Sequence, residues 1–190
     1  EDIITNMTST SAMTSTFPEF DKVMGGGPQP GNFYGFIGMG KSFKSITTHY
    51  IAAENAKRGI PVLILNGEMS AKQYFERIFN KELGLNFDEE VAFGKLTKEN
   101  YKDYSNKIDE ILGHNLFCVT GTSFTKDQVI NTINDIEKKH GKRIKMVILD
   151  GLTQFEDVCR NEIMSSIENS GVCKELSKTC DVAFMALIHT

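Results

Sequence analysis

The 190-residue sequence has little of what marks several large classes of protein. Its four cysteines, Cys118, Cys159, Cys173 and Cys180, stand far apart, without a CxxC pair and without clustered histidines. Neither a zinc site nor a disulfide framework is indicated, and reduced thiols are expected. No apolar run comes near the roughly 20 residues that a membrane helix needs, and the opening EDIITNMTSTSAMTST is polar rather than signal-like. A cytoplasmic protein without a membrane partner is the expectation. There is also no excess of one charge. The net charge is -4 with acids and bases interspersed, so the surface as a whole does not attract nucleic acid, and any such contact must be local. No internal repeat is visible.

What is present is a chain long enough to bury a core, with 40% apolar and 24% charged residues, which fits one globular domain. Residues 1–16 are rich in Ser, Thr and Met without periodicity and read as a flexible arm or linker, leaving 17–190 as the domain. FPEFDKVMGGGPQPG is a structured lead-in with a short amphipathic turn, ahead of a first strand, NFYGFI. Past the run GMGKS comes a helical pattern ending near Gly59, then PVLILNGE as a buried strand. Helices are expected over 70–83, 97–112, 125–140 and 161–179, the first two entered through Ser70 and Thr97 as caps. Strands are expected in NLFCVTG, KMVILDG and DVAFMALIHT. The alternation implies an α/β fold, a mostly parallel central sheet with helices on both faces.

GFIGMGKS, residues 35–42, fits G-x-x-x-x-G-K-[ST] between a strand and a helix. In that pattern glycines let backbone N–H groups curl around phosphates, and the start of the helix, expected near Lys41, adds its positive end. Lys41 then reaches the outer phosphates and Ser42 holds magnesium, with Gly35, Gly38, Met39, Gly40 and Phe43 forming the rest of the cradle. A glycine turn with an incidental lysine is the plainer alternative, but it does not account for the acids at the ends of later strands. Asp150 closes MVILD at the edge where open α/β sheets bind ligands, and is expected to hold magnesium, whereas alone it would read as a turn cap. Glu68 follows the second strand and is a candidate to polarise the attacking water. His189 ends the last strand, so it is read as a sensor of the terminal phosphate rather than as a structural histidine. His49, His114 and His140 are read as helix-face or loop residues.

From these residues the chain resembles the RecA-like P-loop ATPases, and the resemblance spans residues 14–190. TSTFPEFDKVMGGGPQPG is similar to their lead-in. Within the group, LNGEMSAKQYFERIF and AFGKLTKENYKDYSNKIDEI resemble the corresponding blocks of the DnaB-type and phage hexameric replicative helicases. The resemblance implies ATP and Mg2+ as ligands, Glu68 as the catalytic glutamate, Asp150 as the magnesium aspartate and Gln154 as the glutamine of the same motif. It implies a histidine at His189 of the kind that phage and mitochondrial ring helicases carry. It further implies single-stranded DNA as partner, a homo-oligomeric ring of six subunits, a primase or loader, and action in a cytoplasm, a phage protein's being that of its host. A recombination ATPase of the RecA or RadA type, forming filaments on single-stranded DNA, is the alternative, with a KaiC-like regulatory ATPase as a third.

Two departures bear on this reading. Counted from Pro30 and Gly31, the run reaches GKS about three residues sooner than in the family, so a break or an unusually tight loop is expected between Ile37 and Met39. The DNA-binding loop, the last strands and the arginine that the family lends to a neighbour are expected beyond Thr190. Arg77, Arg143 and Arg160 offer no clear substitute for that arginine.

Overall fold

The computed structural model describes residues 13–40, 43–152, 155 and 162–189. Five strands, β1 (Phe33–Gly38), β2 (Val62–Asn66), β3 (Leu116–Thr120), β4 (Met146–Asp150) and β5 (Ala183–His189), form one sheet in the order β1-β5-β4-β2-β3. Every pairing is parallel, so all five strands deliver their C-terminal ends to one edge. The strands are joined or flanked by α1 (Pro18–Val23), α2 (Lys44–Lys57), α3 (Ala71–Leu83), α4 (Phe87–Ala92), α5 (Lys98–Leu112), α6 (Lys126–His140) and α7 (Glu162–Thr179).

The near-continuous apolar runs VLILN and MVILD are buried at every position because both faces of the sheet are covered. Side chains alternate between faces along a strand. Accordingly Val62, Ile64, Met146, Ile148 and Met185 pack with Ile51 and Ala52 of α2, Tyr74 and Ile78 of α3 and Ile108 of α5. Leu63, Leu65, Val147, Leu149 and Phe184 face the other way, onto Val129 and Ile133 of α6 and Cys173 and Leu176 of α7. Three layers, helix on sheet on helix, result.

The expected helix entries at Ser70 and Thr97 hold, and Thr125 adds a third of the same kind. Ser70, Thr97 and Thr125 each accept from the backbone N–H three residues on, while the side chains of Gln73, Asn100 and Gln128 return the bond. Each of these helices closes on a glycine in the left-handed region, Gly84, Gly113 or Gly141, where a Cβ would be strained. The short helix α4 was not anticipated.

Two expectations are corrected. The boundary after residue 16 falls within docked chain, because Met13, Thr14 and Ser15 are buried. The Thr14 backbone is bonded in both directions to the Asn55 side chain of α2, at 2.9 and 2.8 Å, and Asp21 accepts from Thr14 Oγ1 at 2.6 Å and from the Ser15 N–H at 2.8 Å. Residues 1–12 lie outside the described residues. The first long helix also starts later than expected, at Lys44 rather than near Lys41.

Candidate nucleotide-binding site

Asp150 is the residue around which the site is built. It ends the central strand β4 and is 1% exposed, in register with Asn66 at the end of β2. A buried carboxylate needs polar company. One of its oxygens accepts a 3.1 Å bond from the hydroxyl of Ser45, in the first turn of α2. The expected magnesium aspartate therefore meets a helix start and a hydroxyl at the C-terminal edge of the sheet. A buried carboxylate and a hydroxyl are hard oxygen donors of the kind magnesium takes, and the amide groups opening α2 suit an anion beside it, so the residues present fit a magnesium nucleotide.

The loop entering α2 differs from its expected course. β1 runs unbroken to Gly38, paired with His189, so the anticipated interruption between Ile37 and Met39 is absent. The loop is instead short, with residues 39–43 alone separating strand from helix. Gly35 lies within β1, opposite Ala186. A Cβ there would stand 3.1 Å from Ile188 Cδ1, so the bare backbone at Gly35 serves strand packing. Met39 and Phe43 are exposed, and Phe43 adopts φ 62° in the left-handed region. Lys44 is nearly buried, its ammonium donating to the carbonyls of Gly38 and, at 2.7 Å, Met39. Lys41, Ser42 and Gln154 lie outside the described residues, as does the side chain of His189.

Glu68 stands two residues beyond β2 and is exposed. Its position depends on Asn66, fully buried, whose side-chain oxygen accepts from the N–H groups of Glu68 at 3.2 Å and Met69 at 3.0 Å, while its amide donates to the Met69 carbonyl at 2.9 Å. The turn carrying Glu68 is thus pinned to the strand next to Asp150. Burial pushes the thiol of nearby Cys118 up to about 11; an Asn66 hydrogen bond offsets part of this and the Asp150 charge adds to it. That thiol stays protonated at neutral pH and supplies no anion to the site.

Sequence reasoning missed Lys44, Ser45 and Asn66. A signal for the first two was present: the pair Lys-Ser recurs three residues after Lys41-Ser42, and the count from Pro30 and Gly31 was short by about that much. Asn66 was hidden because an asparagine at a strand end looks like any turn residue.

Residues 12–189 match the DnaB-like helicase C terminal domain. The chain belongs to that family. This places it with the helicases rather than with the recombination or KaiC-like ATPases. Among solved structures, it is similar to a DnaB-like replicative helicase described with its interactions with primase, at TM-score 0.78 and 20% identity over 95% of this chain and 43% of that one. It is also similar to the ATPase domain of G40P, at TM-score 0.78 and 19% identity over 97% of this chain and 66% of that one. At such identities the likeness establishes the shared fold. The DnaB-family domain spans less than two thirds of either structure. No curated protein sequence matches it significantly. Among the described residues, no helix is long and apolar enough to cross a membrane.

Proposed function

We propose that this domain is the ATP-hydrolysing motor of a ring-forming replicative DNA helicase, converting hydrolysis into movement along single-stranded DNA. The observation that carries the reading is the bond between Ser45 and the buried Asp150, which ties the start of α2 to the end of the central strand in a chain of the DnaB-like family. The N–H groups opening α2 and a loop lysine bind the phosphates, and Asp150 with a loop serine holds magnesium. Magnesium, when bound, draws charge from the phosphate oxygens. Glu68 accepts a proton from the attacking water, and its exposure beside the strand edge leaves room for that water. Gln154 is assigned to nucleotide binding and His189 to sensing the terminal phosphate.

Charge on the transferring phosphate calls for an arginine. Arg143 is paired with Asp181 at 2.9 Å, at the opposite edge of the sheet where β4 and β5 begin, and Arg77 lies on α3 beside His49. The neighbouring subunit of a hexameric ring is therefore proposed as the source, with a primase or loader as further partners and a cytoplasm, a host's in the case of a phage protein, as the setting. The test is strand displacement on a forked DNA duplex by the full-length protein with ATP. Displacement is expected; ATP hydrolysis coupled only to filament formation on single strands would favour a recombinase.

A further inference from the structure

Two Lys-Ser pairs lie in the segment that joins β1 to α2: Lys41-Ser42, which completes the G-x-x-x-x-G-K-[ST] pattern, and Lys44-Ser45 three residues later. The pattern selects the first pair, but the geometry is built around the second. A phosphate loop works because it runs from a strand end into a helix whose first amides lack intrahelical partners and so can hold an anion. Here the strand ends at Gly38 and the helix starts at Lys44. Residues 38–45, Gly-Met-Gly-Lys-Ser-Phe-Lys-Ser, cover the same span as residues 35–42, and they start with a glycine and end with Lys-Ser as the pattern does. Only its last glycine differs, being Phe43.

Three observations support this later frame. Phe43 holds φ 62°, a conformation that glycine adopts freely and a bulky residue does not, so the backbone has the shape of a glycine position although the side chain is aromatic. Lys44 donates to the carbonyls of Gly38 and Met39, which holds its ammonium beside the end of β1 where the loop begins. Ser45 bonds Asp150, the carboxylate at the strand edge. Gly35, the first glycine of the earlier frame, is by contrast inside β1 and accounted for by Ile188.

We infer that Lys44 and Ser45, rather than Lys41 and Ser42, are the phosphate-binding lysine and the magnesium-side hydroxyl of this loop, with Phe43 standing in for its last glycine. The inference rests on the nucleotide-site reading above, and the experiment separates the two. Binding of a fluorescent ATP analogue to the full-length protein is measured with and without magnesium, with thermal melting as a check on folding. Wild-type protein must bind; failure to bind overturns the site reading and the inference with it. Given binding, Lys44→Met, which keeps the apolar stem, should weaken affinity by about tenfold to a hundredfold, the worth of a charge-assisted hydrogen bond. Ser45→Ala should remove most of the gain that magnesium gives. Lys41→Met and Ser42→Ala should each change affinity by less than about threefold, as expected of residues outside the phosphate-binding frame. Phe43→Gly should bind as well as wild type or better and melt no lower. Should Lys44→Met melt early, Lys44→Arg replaces it, retaining charge, and is expected to recover part of the binding. Loss of binding in Lys41→Met with Lys44→Met intact would overturn the inference and restore the earlier frame. Equal loss in both would overturn it too.

Discussion

Glu68 is held by its backbone and not by its side chain, since Asn66 grips the N–H groups of the turn. An amide at this position keeps the shape of the carboxylate but cannot take a proton from water. Glu68→Gln should therefore retain nucleotide while turnover falls by about a hundredfold or more; equal loss of binding and turnover would make Glu68 a structural residue. His49, on the face of α2 turned to the core, tells of stability rather than catalysis. It is 7% exposed, neither ring nitrogen has a hydrogen-bond partner, and it packs edge-on against Tyr74 with ring centroids 4.3 Å apart. Burial, with a smaller contribution from the Arg77 charge, lowers its pKa to about 4. The unfolded chain takes up a proton near pH 6.5 and the folded one only near 4, so stability is full above about 6.5 and declines as pH falls between those values, by about 3 kcal/mol at most. Chemical denaturation across that range should show the slope, and His49→Leu should flatten it.

At the scale of elements, what local chemistry decides was legible. The entries at Ser70 and Thr97 rest on a side chain bonding three residues away, so a short window of sequence contains them, and the helix ends expected at 83, 112 and 140 precede Gly84, Gly113 and Gly141, each in the left-handed region. The start of α2 was not legible in the same way. It depends on how far β1 pairs along β5, a contact between residues some 150 apart, and the pairing of Gly38 with His189 consumes residues that the motif had assigned to the loop. Docking of 13–16 was hidden for a similar reason, its partner being Asn55 on a distant helix. That partner allows a check: Asn55 bonds the Thr14 N–H and carbonyl and the Ile51 carbonyl, and is fully buried. Asn55→Ala should cost about 2 kcal/mol in urea unfolding by leaving the Thr14 groups unsatisfied, and proteolysis near residue 16 should become faster. Unchanged stability would mean that the lead-in is held by Asp21 alone.

For the whole molecule, the sheet gathers Gly38, Asn66, Asp150 and His189 at one edge, where the proposed nucleotide site lies. Of the described arginines, Arg143 is paired with Asp181 where β4 and β5 begin and Arg77 lies on α3 beside His49; on the proposed function, the charge on the transferring phosphate is met by a neighbour. On the proposed function catalysis and assembly would be one event, with an arginine from the adjacent subunit expected to contribute a rate factor of about a thousand or more. The most direct measurement is ATP hydrolysis by the full-length protein as a function of its own concentration, with and without single-stranded DNA. The account predicts that turnover per subunit is low when dilute, rises steeply as rings form and increases again with DNA; constant turnover per subunit down to dilute monomers, indifferent to DNA, would contradict it.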